Sequence, residues 1–200
     1  MRLRPLVLVA LLAAGIVAAD DGWQRMDEER GIVVDARDVA GSGLHEVRAT
    51  AHADAPPAAV LAVLWAQEEY PKFLAHVTTV RILEAQDNER LLYEQLAVPF
   101  AKDRDVVLRV RRRVDATTGV VEITSTAVTD TGPPPTSRFV RVRVSDGHWR
   151  LVPAGGGTDV TYTNRTDAAG FLPDWIVNRI QKATVPDLVR AILDRAAARR

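Results

Sequence analysis

The chain has 200 residues, 26 basic and 26 acidic side chains, and no cysteine. Balanced charge gives no general drive toward nucleic acid, and the missing cysteines exclude a disulfide scaffold, a zinc ribbon, an iron–sulfur cluster, a thiol nucleophile and a cysteine-linked lipid anchor. With 47% hydrophobic and 26% charged residues, the composition is globular, not disordered, and the length suits one large domain or two small ones.

The chain opens with a basic stretch carrying Arg2 and Arg4, followed by an unbroken run of apolar residues and glycine over 6–19 that ends in Val17-Ala18-Ala19 before Asp20-Asp21. This pattern predicts a secretory signal peptide over residues 1–19; the run is shorter than the roughly 20 residues a membrane-spanning helix needs. The expected mature chain, residues 20–200, carries 24 basic and 26 acidic side chains. Its expected location is the periplasm or the exterior of the cell.

Two strand candidates, 32–39 and 44–53, flank Gly41-Ser42-Gly43, a turn of the hairpin type. In the second, Val47, Ala49, Ala51 and Ala53 alternate with polar neighbours, as in a half-buried strand. Asp54 is placed to cap a helix that begins at Pro56-Pro57 and runs apolar to Trp65. Residues 68–76 predict a helix broken at Pro71. Strand candidates 78–85, 90–98, 104–114 and 120–128 follow, separated by turn-forming residues. The segment 131–136, with Gly132-Pro133-Pro134-Pro135, is a loop. Three more strands are predicted at 138–144, 147–152 and 158–166, the last two joined by Gly155-Gly156-Gly157. From Pro173 to Ala198 the period changes: Ile176, Ile180, Ala183, Thr184, Leu188, Ile192 and Ala196 recur every three or four residues, an amphipathic helix that Pro186 should kink or divide. The layout is α+β, in one domain.

Few motifs of catalysis stand out. His45, His52, His76 and His148 are scattered, with no metal-ligand spacing, so no metal site and no cofactor are expected. Gly41-Ser42-Gly43 is not a nucleophile elbow, and Gly155-Gly156-Gly157 lacks the lysine and helix of a phosphate loop. The basic run 109–113 reads as a solvated strand face. The period-2 faces of the strands are more informative. Glu94 and Leu96 share one face; Val106, Leu108, Val110 and Arg112 another; Ile123 and Ser125 a third; Tyr162 and Asn164 a fourth. The inner face of the sheet is thus expected to be apolar, rather small-sided and dotted with polar groups. That fits either a packed core or a cavity whose few polar groups orient a ligand.

A resemblance bears on that choice. Arg104-Asp105-Val106-Val107-Leu108-Arg109, preceded by Val98-Pro99-Phe100, resembles the arginine–aspartate strand of START (StAR-related lipid-transfer) domains. Pro133-Pro134-Pro135, Val140-Arg141-Val142, Gly147-His148-Trp149-Arg150-Leu151, Gly157-Thr158-Asp159-Val160-Thr161-Tyr162 and Gly170-Phe171-Leu172-Pro173-Asp174-Trp175-Ile176-Val177-Asn178 follow in that family's order, over about residues 23–197. The resemblance implies a helix-grip fold: a curved antiparallel sheet around a long C-terminal helix, with an internal hydrophobic tunnel that holds a lipid or other hydrophobic small molecule without catalysis. Cavity-lining candidates are then Glu94, Leu96, Val106, Leu108, Val110, Arg112, Ile123, Trp149, Tyr162, Asn164, Ile176, Ile180, Thr184 and Leu188. Phe171, Leu172 and Trp175 are candidates for a lid or a transient membrane contact. The expected lid is the kinked helix around 174–193 with the 131–136 loop, and Gly170 and Pro186 are its candidate hinges. Several members of the family carry a tunnel arginine at the place held here by Val110. Either that charge is absent, or Arg112 supplies it through a bulge and pairs with Glu94. A monomer with no nucleic-acid partner is expected. The alternatives are a cyclase/aromatase-like enzyme on the same scaffold, using Glu94, Tyr162 and Asn164, and an interaction module with a filled core.

Overall fold

The computed structural model describes residues 22–42, 44–99, 101–167 and 174–199, with side chains described throughout except over 174–183. Ten strands form a single sheet. In chain order they are β1 (Gln24–Glu29), β2 (Ile32–Asp38), β3 (His45–Ala53), β4 (Val77–Ala85), β5 (Glu89–Leu96), β6 (Arg104–Val114), β7 (Val121–Ala127), β8 (Val140–Arg141), β9 (Val144–Ala154) and β10 (Gly157–Asp167). Their spatial order is β1-β2-β3-β10-β9-β7-β6-β5-β4, antiparallel at each of these pairings, while β8 adds a short parallel bridge to β6. Helix α1 (Pro57–Leu64) and a 3-10 turn (Gln67–Lys72) join β3 to β4, and α2 (Asp174–Ala197) closes the chain. β3 and its neighbour β10 are far apart in the chain, so the middle of the sheet is a non-local pairing.

Two hairpins show why the local sequence closes where it does. Ala154 pairs with Gly157, so the turn is the two residues Gly155 and Gly156, both at positive φ (57° and 83°), which the primed hairpin turns require. Gly157 itself lies in β10, where an added Cβ would sit 2.2 Å from the Ala53 carbonyl oxygen. At the β2–β3 turn, Gly41 takes φ 75°, and Val39 N–H donates to the Leu44 carbonyl at 2.9 Å.

The core lies between the concave face of the sheet and the helices. Val34, Val47 and Ala49 from β2 and β3 pack with Val60, Val63 and Leu64 of α1 and with Val185, Val189, Ile192 and Ala196 of α2. The buried stripe of α2 runs through Val185, Val189, Ile192 and Ala196; the predicted Ile192 and Ala196 are fully buried, while the predicted Thr184 and Leu188 are half-buried and their neighbours Val185 and Val189 take the core positions. Helix α2 is continuous past Pro186, which is buried within it, so the expected division into two helices does not occur. A second, smaller cluster of Leu91, Tyr93 and Val107, with Leu83 and Val128, lies on the convex face of β5 and β6.

Several expectations are corrected. Strand β1 was not anticipated; Gln24–Glu29 is polar and mostly exposed, and it becomes a strand by pairing with β2 through a bulge between Arg25 and Asp27. Asp54 does not cap α1, whose N-cap position is Pro56 with no side-chain cap. The predicted strand 138–144 reduces to β8. There Val140 N–H donates to the Asp103 carbonyl and Val142 N–H to the Asp105 carbonyl, while the Arg141 side chain turns away to a buried partner.

Candidate functional site

The register of the sheet sets out the concave face row by row. Ala49, Tyr162, Trp149, Ile123 and Arg112 stand side by side across β3, β10, β9, β7 and β6. The next row is Val47, Asn164, Gly147, Ser125, Val110 and Arg90. Beyond it come Ala127, Leu108, Leu92 and Ile82, then Val106, Glu94 and Val80. Small residues fall in the middle of this surface: Gly147 and Ser125 are neighbours, and a Cβ on Gly147 would lie 2.5 Å from the Ser125 hydroxyl. Large side chains stand on either side, with Trp149 stacked on Tyr162 at 4.3 Å between ring centroids.

Glu94 is 8% exposed, and among the described residues it makes no hydrogen bond. Burial pushes its carboxyl up to about 7, because the apolar surroundings penalise the charged form. Tyr70, from the 3-10 turn, and Tyr162, from β10, lie within range of its charge. Burial first, and the neighbouring Glu94 second, drive both phenols above their ordinary range. The Tyr70 hydroxyl is spent on the Leu64 carbonyl at 2.8 Å. The Tyr162 hydroxyl has no hydrogen-bond partner among the described residues.

The expected Glu94–Arg112 pair is not formed. Strand β6 runs in regular register past Arg112, with no bulge to redirect it. Arg112 lies instead over the Trp65 ring at 4.4 Å and donates to Asn88 at 3.2 Å. Arg90 stacks near the same ring at 4.7 Å, and donates to the Trp65 carbonyl and to Gln67. The two guanidiniums close one end of the concave face around Trp65, which was not anticipated as part of the site. Arg104, one pair along from Glu94 at the other end, is buried and donates to the Lys102 carbonyl.

Of the other candidates, Val106, Val110, Ile123 and Trp149 are buried on the concave face, and Leu96, Leu108, Tyr162 and Asn164 are half-buried there. The Asn164 amide is occupied by the Asp146 carbonyl and Thr166. Leu188 packs at the edge of the core, and Thr184 is half-buried. The side chains of Trp175, Ile176 and Ile180, and residues Phe171, Leu172 and Gly170, lie outside the described residues. Tyr70 was missed because Pro71 made its segment look like a mere break; an aromatic beside a proline in a short 3-10 turn is a weak signal.

The 131–136 loop is not over the concave face. Gly132, at φ 87°, presses against Val107 and Leu83 on the convex face. There Asp105, 1% exposed, receives both arms of Arg141 at 2.9 Å and the Tyr93 hydroxyl at 3.0 Å. Arg141 also donates to the Pro133 carbonyl. The aspartate of the arginine–aspartate strand is thus a clamp that fixes the proline loop to the back of the sheet, and the loop takes no part in a lid.

Two of the scattered histidines pair with single carboxylates, His45 with Asp38 at 2.7 Å and His52 with Asp159 at 2.8 Å. No group of three or more acidic or histidine side chains among the described residues is placed to hold a metal ion. No described helix is long and apolar enough to cross a membrane.

The family model described as the START domain matches residues 8–198. The chain belongs to the START domain family. A protein of Pseudomonas aeruginosa, "Uncharacterized protein PA1579", is 28% identical over 180 residues, spanning 88% of each chain. The solved "STAR-related lipid transfer protein (fragment 25-204)" of Xanthomonas axonopodis superposes with a TM-score of 0.81 at 28% identity, covering 88% of this START domain and 99% of that chain. The Zhui aromatase/cyclase of a Streptomyces species shares the fold, with a TM-score of 0.57 at 19% identity over 78% of this chain and 95% of its own.

Proposed function

We propose that this START domain binds one lipid or other hydrophobic small molecule between the concave face of the sheet and α2, and carries it without chemical change. The observation that supports this most is the concave face itself: Val106, Leu108, Val110, Ile123 and Trp149 present apolar surface around the small pair Gly147 and Ser125. Kinship with a protein named for lipid transfer points the same way. Burying a CH₂ group is worth roughly 0.8 kcal/mol, so a sixteen-carbon chain entering water from a bilayer loses on the order of 12 kcal/mol. An apolar cavity removes most of that penalty and lets the molecule cross an aqueous gap. With the signal-peptide pattern of residues 1–19, that gap is the periplasm or the cell exterior, and the carrier works as a monomer that touches membranes briefly through the segment containing Phe171, Leu172 and Trp175.

A second reading, an aromatase/cyclase-like enzyme, is favoured by one feature: the buried Glu94 carboxyl, pushed up to about 7 by its apolar surroundings, on the same concave face as Tyr162. It is the weaker reading, because the third candidate group, Asn164, has its amide committed within the sheet.

The test is to express the full chain with its leader, purify the product from the periplasmic fraction without detergent, and analyse an organic extract by mass spectrometry. The expected result is a hydrophobic compound near one equivalent per protein and a mature N-terminus close to Asp20. Preparations that are empty, and that fail to take up an added hydrophobic dye, would contradict the carrier reading; conversion of a polyketide-like substrate that is lost in Glu94→Gln would favour the enzyme.

A further inference from the structure

Among the described residues, Arg30 is the one non-glycine residue in the left-handed region, at φ 52°. Glu29 pairs with Ile32, so Arg30 and Gly31 (φ 76°) make up the whole β1–β2 turn. Positive φ at both positions is what this primed hairpin turn requires; glycine takes it at no steric cost, a long side chain does not. The Arg30 side chain is 71% exposed and, among the described residues, pairs with its neighbour Glu29 at 3.3 Å and with nothing farther along the chain.

The strand that this turn holds is itself weakly built. β1 lies at the edge of the sheet, is polar and mostly exposed, and is interrupted by its bulge. Matched side chains fasten it to the body of the domain. Arg25 donates to Asp35 at 2.8 Å. The Trp23 ring, just ahead of β1, lies 4.4 Å from the Arg37 guanidinium and 4.2 Å from that of Arg48. Met26 packs on the core, and Glu29 faces Arg190 of α2 at 3.7 Å. None of these contacts requires β1 and β2 to belong to one chain; the turn alone does. Without β1, the outer edge of β2 would be open, beside Ile32 and Val34 of the core, and an open edge recruits a strand. A strand that fits must carry an arginine opposite Asp35, an indole for Arg37 and Arg48, and an acid for Arg190. Residues 23–29 of a second copy of this chain meet all three demands.

We propose that the Arg30–Gly31 turn is a hinge through which two copies of this chain exchange β1, giving a symmetric dimer in equilibrium with the closed monomer. In the exchanged form the hinge is extended, β1 and β2 run on as one strand, and Arg30 returns to ordinary extended backbone. The contacts of β1 are kept, now made across the two chains. Association costs freedom of motion, so the dimer gains with concentration. The apolar rows over β5–β7 and β9–β10 lie away from β1, and the exchange does not depend on what binds there.

The chain has no cysteine, so an introduced pair reports the exchange directly. Gln24 and Ala36 stand opposite each other, and directly opposed residues of antiparallel strands are within reach of a disulfide. In Gln24→Cys with Ala36→Cys, the bond closes within one chain in the closed form and between chains in the exchanged dimer. A dimer of any other kind keeps its bonds within chains. The protein is refolded over a roughly hundredfold range of concentration, oxidised, and read by non-reducing electrophoresis and size-exclusion chromatography. The expected result is a covalent dimer whose share grows with refolding concentration. Adding Arg30→Gly, which holds the turn without strain, is expected to weaken dimerisation roughly tenfold or more. Adding Gly31→Ala is expected to strengthen it; no atom lies within 4 Å of a Cβ at Gly31, so the penalty of alanine there is its φ alone. Chromatography of the cysteine-free chain against Arg30→Gly reads the same shift if the cysteine pair disturbs the fold. Chains closed on themselves at every concentration, a dimer with its disulfides within chains, or a dimer share unmoved by Arg30→Gly overturns the proposal.

Discussion

At the scale of single residues, the molecule places two acids in opposite situations. Glu94 and Asp105 are both buried, but on opposite faces of the sheet. For Asp105 burial pushes the carboxyl up, and the hydrogen bonds from Arg141 and Tyr93 more than reverse this, leaving it below the usual carboxylate range. For Glu94 burial acts alone, and the carboxyl rises to about 7 from an ordinary 4.5. A raised folded-state value in an acid means that its contribution to stability is fully present below the unfolded value and is lost as the pH climbs through about 7. Replacing Glu94 with glutamine removes that loss. Glu94→Gln is therefore expected to melt above the wild type at about pH 8, by an amount corresponding to at most about 3 kcal/mol, and to match it at about pH 4. Thermal unfolding of the two proteins across that range checks the sign; a difference independent of pH would mean that Glu94 is not held in an unpaired, apolar setting. Periodicity alone put Glu94 on the inner face, but not its isolation. That depends on where Arg112 goes, and the attraction of Trp65, a residue 47 positions earlier at the end of α1, leaves no mark in the spacing of β6.

At the scale of elements, most of the sheet was legible because alternation over six or more residues is a local property. Strand β6 and the limits of β2, β3 and β10 agree with the sequence reading to within a residue. What could not be read locally was structure created by a distant partner. The polar β1 becomes a strand only because β2 offers an edge. The segment around Val140 looks like a long strand but is cut short because Arg141 is drawn to Asp105, 36 residues away. The buried stripe of α2 differs from the predicted one because the helix meets α1 and β1–β3, and the sequence does not state the angle of that meeting. The strap formed by the proline loop and β8 depends on the Asp105–Arg141 clamp. Arg141→Ala leaves Asp105 buried without its counter-charge, and a loss of about 3–5 kcal/mol is expected in chemical denaturation, whereas the double change Asp105→Asn with Arg141→Met recovers much of it. A loss below about 1 kcal/mol in the single variant would show that the strap is held by the contacts of Gly132 and Val107 instead.

At the scale of the whole molecule, the arrangement divides labour between the two faces of one sheet. The convex face is tied by ion pairs: Asp35 with Arg25 and Arg48, Glu89 with Arg109 and Arg111, and Asp105 with Arg141. This is where Arg109 and Arg111 of the basic run are paired, whereas Arg112 stands on the other face over Trp65. One half of the concave face packs against α1 and the C-terminal half of α2. The second half, over β5–β7 and β9–β10, carries the apolar rows, the small pair Gly147 and Ser125, and Glu94, and its Leu92, Val110, Ile123 and Trp149 belong to the same buried cluster. Membership of the START family was legible in the order of short motifs, none decisive alone, and so was the departure at Val110; where Arg112 goes instead became visible only in side-chain geometry. The central claim is that a hydrophobic molecule enters this second half and lies against Trp149. Bromine quenches tryptophan only at contact, so the direct measurement is the quenching of intrinsic fluorescence by 12-bromododecan-1-ol, in the wild-type protein and in Trp149→Phe. Saturable quenching that is mostly lost in Trp149→Phe is the expected result; quenching that never saturates, or that is the same in both proteins, would contradict it.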